Sequence, residues 1–375
     1  MDRLIQFILF FTVFSGILFG LHFYIFRMIS KHLELSPKII GYIRWFFIIS
    51  GISIIIGQVL SRFADLHFIK YYAYIWLGVV SITFSFFIIA SILKIFFPAG
   101  SKIIVLSTLV LSILVSLYSI INNASVPEIK EINIVTTKDT GSENEFRIVQ
   151  LSDVHIDESS NMNRVQKLVD RVNSLKPDLI LITGDLIDGQ VHEDCELSEI
   201  MRSMRSRFGV YAVSGNHEFY TGIDVFNKLA DRSGITILRD EKKTITDSFT
   251  LIGLKDHTSA KAGRKNFKPE ILKGLDRSAF NILMGHRPYG IENNSQSGVD
   301  LQLAGHTHAG QIPPMDILVQ LVYRYPNGLY RSGNSYIYTT SGTGVWGPPM
   351  RFLSRSEIVL FRITQGENIS GRISK

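Results

Sequence analysis

Five short groups of metal-binding residue types occur in the C-terminal two-thirds of the 375-residue chain. Each follows a short apolar run that is typical of a β-strand, and open α/β sheets place their ligands at strand ends. One Gly-His pair carries little information, but all five groups in this order predict a two-metal hydrolytic site. The groups are Asp153-Val-His155, Gly184-Asp185-Leu-Ile-Asp188, Gly215-Asn216-His217-Glu218, Gly285-His286 and Gly305-His306-Thr-His308.

The residue types in these groups suit divalent metal ions that act on phosphate. Carboxylate and imidazole ligands accept Mn, Fe or Zn, and one shared carboxylate can bridge two ions about 3.5 to 4 Å apart. Asp153 and His155 are two residues apart and can point the same way, as can His306 and His308. The expected cofactors are therefore two divalent metal ions, whose identity the ligand types leave open.

Asp185 is the residue that we expect to bridge the two ions. Gly184 before it permits a tight turn that brings the carboxylate inward. Asn216 offers a neutral oxygen ligand, again after a glycine, and His286 supplies a further imidazole from a separate strand. The metal ligands predicted from the residues thus come from five strand ends.

The five groups resemble the complete motif set of the calcineurin-like metallophosphoesterase superfamily, over roughly residues 128 to 375. The resemblance implies that a hydroxide bridging the ions attacks phosphorus in line, and that His217 gives a proton to the leaving group. It implies that Asp153, His155, Asp185 and His308 hold one ion, while Asp185, Asn216, His286 and His306 hold the other.

Two acidic residues of the groups are not expected to bind metal. In the family pattern Asp188 more often supports its loop, so we expect it to hydrogen-bond behind the ligands. Glu218 has two open interpretations, because it could orient His217 or simply face solvent.

Within the superfamily, the chain is similar to a membrane-associated branch that includes YkuE-type and YaeI-type phosphodiesterases and transmembrane proteins with a metallophosphoesterase domain. The resemblance implies hydrolysis of a phosphodiester or pyrophosphate, with UDP-2,3-diacylglucosamine, a cytoplasmic molecule, as one candidate substrate. Ala309 departs from the glycine usual in this branch. The likeness rests on Gly305-His-Thr-His-Ala-Gly-Gln311, Gly328-Leu-Tyr330 and residues 341 to 358.

The first third of the chain contains four long apolar segments that are nearly free of charge. Each could cross about 30 Å of hydrocarbon as a helix, whereas buried core helices would normally show polar faces. A cleaved signal peptide could explain only the first segment. We expect transmembrane helices near 4–26, 40–60, 71–93 and 103–121 in a domain of residues 1–122, a linker at 123–127, and a catalytic domain at 128–375.

The distribution of basic residues bears on orientation in a cell membrane. Loops one and three carry six Lys and Arg residues against four on the opposite side. This bias favours loops one and three as cytoplasmic and places the catalytic domain outside the cytoplasm. That placement conflicts with a cytoplasmic substrate such as UDP-2,3-diacylglucosamine.

The soluble part shows strands alternating with helices between residues 146 and 237, and then mostly strands. This order predicts an α/β fold, with a mixed two-sheet sandwich rather than a barrel. Residues 312–325 are unusually apolar for a loop near phosphate. They predict either an element packed on the core or a rim that touches lipid.

The net charge of +6 is small, and the basic residues form no arm, so no nucleic-acid partner is expected. The single cysteine, Cys195, excludes a cysteine-based zinc site. The expected partners are a phosphorylated small-molecule or lipid substrate and membrane lipids, with no indication of the oligomeric state. The alternative function is a catalytically silent, metal-binding membrane sensor or scaffold.

Overall fold

A computed structural model of the chain describes residues 2–60, 67–141, 145–158, 160–189, 195–256 and 269–366. The chain divides into two compact units. The helical unit consists of Met1–Ser125 together with two short later segments, Gly310–Ile317 and Gly347–Leu353. The second unit, which we call the catalytic unit after the sequence prediction, consists of Val126–Ala309, Leu318–Trp346 and Ser354–Lys375.

Four helices dominate the helical unit, and all four are long and apolar enough to cross a membrane. Large apolar side chains cover their outer faces, as at Ile49 and Ile113, which are 62% and 57% exposed. An exposed apolar surface of this extent fits lipid rather than water. The helices are α1 (Asp2–His32), α2 (Pro37–Leu60), α3 (His67–Phe96) and α4 (Ser101–Ala124).

Polar side chains lie inside this helical unit. Trp76 Nε1 donates a hydrogen bond to Nε2 of buried His22 at 2.9 Å, and Tyr24 Oη lies 2.7 Å from Ser91 Oγ. These four polar groups thus have partners within the bundle, as hydrocarbon surroundings require. Apolar faces outside and paired polar groups inside favour spanning helices over the core helices of a soluble protein.

The catalytic unit is a sandwich of two six-stranded mixed sheets, as the sequence predicted. The first sheet has the order β1-β12-β2-β3-β4-β5, and the second has the order β10-β11-β9-β8-β7-β6. The strands are β1 (Glu128–Thr136), β2 (Phe146–Leu151), β3 (Leu179–Thr183), β4 (Val210–Val213), β5 (Ile235–Ile237), β6 (Glu241–Thr246), β7 (Phe249–Gly253), β8 (Phe280–Met284), β9 (Leu301–Ala304), β10 (Gly328–Ser332), β11 (Ser335–Thr339) and β12 (Glu357–Gln365).

Helices cover the outer face of the first sheet, and buried side chains of both sheets form the core between them. Val165 and Val169 of α5, for example, pack on Val149 and Ile180 of the sheet. Among the described residues, the α-helices that belong wholly or partly to this unit are α5 (Met162–Ser174), α6 (Cys195–Arg202), α7 (Asn216–Thr221), α8 (Ile223–Ser233), α9 (Ile291–Gln296) and α10 (Met315–Val322).

The apolar runs that precede the five residue groups are strands β2, β3, β4, β8 and β9, which confirms that prediction. Neighbouring strands β2, β3 and β4 are parallel, as are β8 and β9. Parallel neighbours end at the same edge of a sheet. The five loops that carry the candidate ligands therefore leave the sandwich at its carboxyl-end edge.

Candidate metal centre

The loops that carry the candidate ligands have an unusual backbone. Left-handed backbone at a residue other than glycine costs free energy and is concentrated at functional sites. Five candidate ligands have φ angles of this kind, namely Asp153 (52°), His155 (53°), Asp185 (51°), His306 (70°) and His308 (50°). The surrounding fold thus holds these residues in conformations that aim their side chains at a common point.

Two glycines give the ligands room. A Cβ on Gly184 would lie 2.7 Å from Nδ1 of His286, and Gly184 itself has a φ of 92°. A Cβ on Gly305 would lie 2.2 Å from Oδ2 of Asp153. Glycine is required at both positions because any side chain would displace a candidate ligand.

Asp153, His155 and His308 form one ligand group. Nε2 of His155 lies 3.1 Å from Nε2 of His308, and Nε2 of His308 lies 3.4 Å from Oδ1 of Asp153. All three residues are buried. A buried cluster of two imidazoles and a carboxylate is a suitable donor set for a divalent transition metal.

Asp185, His286 and His306 form a second ligand group. Nε2 of His286 lies 3.1 Å from Oδ2 of Asp185 and 3.1 Å from Nδ1 of His306. The same Oδ2 lies 3.9 Å from Nε2 of His155 in the first group. The Asp185 carboxylate therefore lies between the two groups, where a bridging ligand is expected.

Asn216 adds an oxygen ligand to this arrangement. Its Oδ1 atom is buried and has no hydrogen-bond partner among the described residues. A buried amide oxygen without a partner is costly unless something else binds it. Metal binding would satisfy this oxygen, so the residues present fit the two ions that the sequence predicted.

The electrostatics of the two groups are strongly perturbed. Burial opposes charge on His286, but neighbouring Asp185 and Asp153 raise the pKa of His286 to about 10. Burial also opposes charge on Asp185, yet His286 lowers the pKa of Asp185 well below its usual range. Burial raises the pKa of Asp153 and, together with His286, lowers the pKa of His306. Such opposed shifts in one cleft are typical of functional sites.

His217 lies beside the Asp185 carboxylate without belonging to either pair of imidazoles. Its Nε2 atom is 4.0 Å from Oδ2 of Asp185, and its backbone N–H donates to Oδ1 of Asp185 at 2.9 Å. Nδ1 of His217 hydrogen-bonds Oδ1 of Asp188 at 2.8 Å. Burial opposes protonation, but Asp188 and Asp185 raise the pKa of His217 above its ordinary value. The imidazole is thus oriented and biased toward its protonated form.

Asp188 supports two candidate residues at once. Besides His217, its carboxylate lies 3.4 Å from Nδ1 of His155. A carboxylate that fixes an imidazole in this way sets the tautomer of the ring and leaves Nε2 for the metal or the substrate. The structure therefore places Asp188 behind the ligands.

Glu218 takes neither of the positions that the sequence left open. Its side chain is fully buried, so it does not face solvent, and its carboxylate bonds backbone rather than His217. It accepts the backbone N–H groups of Gly215 at 2.6 Å, Leu186 at 2.7 Å and Asp185 at 3.0 Å. Glu218 therefore ties the Asp185 loop to the start of α7. Nothing in the sequence other than its place after Gly-Asn-His marks it.

Aromatic rings surround the site, and the sequence did not single them out for it. The ring of His217 lies 5.3 Å from that of Tyr220 and 5.8 Å from that of Trp346, and both aromatic side chains are more than half exposed. On the other side, the ring of Tyr323 lies 5.8 Å from that of His306. The contacts of Trp346 and Tyr323 join residues far apart in the chain, so local patterns could not reveal them, whereas Tyr220 lies one helical turn after His217.

Comparisons with known proteins agree with this geometry. A family model described as calcineurin-like phosphoesterase matches residues 146–310. An uncharacterized metallophosphoesterase of Helicobacter pylori is 38% identical over 242 residues, which are 63% of this chain and 64% of the relative. A Danio rerio protein named transmembrane protein with metallophosphoesterase domain is 33% identical over 263 residues, 67% of this chain and 60% of the relative. The uncharacterized metallophosphoesterase YkuE of Bacillus subtilis is 31% identical over 228 residues, 58% of this chain and 79% of the relative.

The chain belongs to the calcineurin-like phosphoesterase family, which confirms the resemblance seen in the residue groups. Divalent metals are the cofactors of this family, and the clustered Asp and His side chains described above could hold them. The four apolar helices and the relatives named transmembrane proteins indicate a membrane protein. The chain spans 64% of the length of the Helicobacter pylori relative and 60% of that of the Danio rerio relative.

Proposed function

We propose that the protein is a membrane-anchored phosphohydrolase that uses two divalent ions to cleave a phosphodiester or pyrophosphate bond. One observation carries this proposal, namely that the Asp185 carboxylate lies between two groups of imidazoles, with His217 beside it. Two ions held by Asp153, His155, His308, Asp185, Asn216, His286 and His306 would supply Lewis acidity at the phosphoryl oxygens and a water activated for in-line attack.

His217 is the group that we assign to the leaving oxygen. Nδ1 of His217 is hydrogen-bonded to Asp188, so Nε2 is the ring nitrogen that remains to donate a proton to the leaving group. The raised pKa of His217 favours the protonated form that this role requires. Because the alcohol or phosphate then leaves in neutral or less charged form, the barrier to cleavage falls.

Tyr220 and Trp346 extend the site on the side of His217. Their exposed rings flank the imidazole that faces the leaving group. Aromatic rings of this kind offer apolar and stacking contact at small entropic cost. A bulky or apolar leaving group fits this surface better than a small alcohol does.

The membrane helices narrow the class of substrate. A site carried by four membrane helices favours an amphiphilic phosphodiester or pyrophosphate over a freely soluble one. If the catalytic unit lies outside the cytoplasm, as the basic residues favour, UDP-2,3-diacylglucosamine is excluded as a cytoplasmic molecule. Protease accessibility of the catalytic unit in intact cells decides between the two orientations.

A direct test is hydrolysis of bis-p-nitrophenyl phosphate by the full-length protein in detergent with Mn²⁺. Wild type is expected to hydrolyse it, and Asp185→Asn is expected to be nearly inactive. His217→Ala should lose more rate with an alkyl leaving group than with p-nitrophenolate, because the poorer leaving group needs the proton more. A wild type no faster than Asp185→Asn with several metals and substrates would instead favour a silent metal-binding sensor or scaffold.

A further inference from the structure

Helix α10 turns its apolar side chains outward. Among its eight residues, only Val319 is a buried side chain. At about 100° per residue, the exposed apolar residues occupy an arc of roughly 160°. They are Met315 (46% exposed), Ile317 (60%), Leu318 (45%), Leu321 (78%) and Val322 (57%). A helix on a water-facing surface has the opposite arrangement, with its apolar arc toward the core. The sequence expectation of an element packed on the core is therefore wrong for most of α10.

The first residues of α10 belong to the helical unit. Just before the helix, Ile312 is buried together with Ile82 of α3 and with Met350. Ser81 Oγ donates a hydrogen bond to the carbonyl oxygen of Pro313 at 2.7 Å. The start of α10 is thus fixed to a helix that is long and apolar enough to cross a membrane.

The second short segment of the helical unit, Gly347–Leu353, is fixed in the same way. Its Arg351 N–H donates to the carbonyl oxygen of Ser119 at 2.9 Å, and Asn122 Nδ2 donates to the carbonyl oxygen of Arg351 at 2.9 Å. The segment ends at Leu353, whose side chain is 79% exposed. An exposed leucine here adds apolar surface to the same unit.

A backbone hydrogen bond joins the two segments, because the N–H of Phe352 donates to the carbonyl oxygen of Gln311 at 2.7 Å. Gly78 of α3 makes room for them, since a Cβ there would lie 2.3 Å from Sδ of Met350. The two short segments are therefore packed together with α3 and α4 within the helical unit.

We propose that the apolar arc of α10, with Leu353, lies in the interfacial layer of the bilayer that the four helices cross, in contact with acyl chains. The chain runs from α10 directly into Tyr323, whose ring contacts His306 of the metal centre. Resting on the proposed function, this inference defines the substrate as a membrane-resident amphiphile, because the lipid-contacting helix continues directly into a residue that contacts the metal centre.

Fluorescence quenching by lipid tests the contact without any catalytic readout. A single cysteine replaces Leu321 or Ile317 in the full-length Cys195→Ser protein and carries an NBD label. Each labelled variant is reconstituted in phosphatidylcholine vesicles that contain spin-labelled acyl chains. A cysteine at Val135, an exposed apolar residue of β1, is the matched control. We expect strong quenching and a blue-shifted emission at 321 and 317, and neither at 135.

The same measurement contains the result that would overturn the proposal. Quenching at 321 no stronger than at 135 excludes lipid contact. A second copy of the chain is the occupant instead if the emission at 321 is blue-shifted but is not quenched by lipid spin labels. The blue shift should then grow with the ratio of protein to lipid.

A pair of substrates tests the consequence for catalysis. Hexadecyl p-nitrophenyl phosphate in vesicles and methyl p-nitrophenyl phosphate in solution share the same leaving group. Leu321→Asp is expected to lower the ratio of the hexadecyl rate to the methyl rate about tenfold, because a charged side chain disfavours the lipid contact that the leucine makes. Val135→Asp should leave the ratio unchanged. An unchanged ratio in Leu321→Asp would refute the inference, whereas a wild type inactive on both substrates would refute the proposed function and leave the quenching result to decide the lipid contact.

Discussion

Nδ1 of His217 lies 2.8 Å from Oδ1 of Asp188, so the imidazole that faces the candidate leaving group is held by a carboxylate from a different loop. The pair joins the loop after β3 to the first turn of α7. Because the same carboxylate also lies 3.4 Å from Nδ1 of His155, one side chain positions both a proton donor and a candidate metal ligand.

Asp188→Asn should move the alkaline limb of the pH profile to lower pH. Burial lowers the pKa of His217, but the pKa is raised overall, and the hydrogen bond that His217 Nδ1 donates to Asp188 makes the largest raising contribution. The protonated acid is present below this pKa and is lost as pH rises through it. Removing Asp188 lowers the pKa, so kcat/KM should begin to fall at a lower pH than in wild type.

The control for this pH profile is Asp224→Asn, which removes the same charge from an exposed position in the first turn of α8. It should leave the alkaline limb in place. If Asp188→Asn and wild type share the same limb, His217 is not the titrating acid.

Glu218→Gln should destabilise the fold around the Asp185 loop. The buried carboxylate accepts three backbone N–H groups within 3.0 Å, and an amide presents an NH₂ group to some of these donors. The loss of hydrogen bonds to a charged acceptor costs roughly 2 kcal/mol, which lowers the melting temperature by about 5 °C. Differential scanning fluorimetry of the detergent-solubilised protein measures this change.

Glu199→Gln, at an exposed position of α6, is the matched control and should change the melting temperature by less than about 1 °C. Equal melting temperatures for the Glu218 variant and wild type would show that the backbone N–H groups do not depend on the carboxylate.

Gly305→Ala should weaken metal binding, whereas Gly285→Ala should not. Both glycines directly precede a candidate ligand histidine. A Cβ at Gly305 would lie 2.1 Å from Oγ of Ser152 and 2.2 Å from Oδ2 of Asp153, while the nearest atom to a Cβ at Gly285 is 3.8 Å away. Displacing Asp153 should raise the dissociation constant for Mn²⁺ about tenfold, as loss of positioning contacts in metal sites does. Calorimetric titration of the two variants compares the constants, and equal affinities would contradict the assignment of Asp153.

Removal of metal should lower the stability of the folded protein. Two groups of Asp and His side chains lie close to one another, and chelation would remove the ions that these groups are proposed to hold. A ligand present at about 100 times its dissociation constant stabilises a protein by about 2.7 kcal/mol. Dialysis against EDTA should therefore lower the melting temperature, and added Mn²⁺ should restore it in wild type but only partly in Asp185→Asn. A melting temperature insensitive to EDTA and to metal would count against bound ions.

Much of the catalytic unit was predictable from local patterns. The strands before the five residue groups are short runs of β-branched and other apolar residues. Glycine or polar residues directly follow each of these strands. The four apolar helices were predictable because their segments are long and nearly free of charged residues. The candidate ligands converge because parallel strands deliver them to one edge.

Other features depend on contacts between distant parts of the chain. No local periodicity predicts the inward turn of Glu218 or the contact between His217 and Trp346. The same holds for the packing of residues 310–317 and 347–353 with the membrane helices. The outward face of α10 is the clearest case. Its apolar composition favours a buried helix, but most of its apolar side chains are exposed. Tertiary structure decided each of these features.

Whether Asp185 joins two ions in one hydrolytic site is decided by measuring bound metal and hydrolysis together. Purified full-length wild type and Asp185→Asn are analysed by mass spectrometry for metal content and assayed on bis-p-nitrophenyl phosphate. We expect about two ions per wild-type chain, fewer in the variant, and a loss of rate of about a hundredfold or more. A wild type that holds no metal, or that hydrolyses the diester no faster than Asp185→Asn, would show that Asp185 does not have this role.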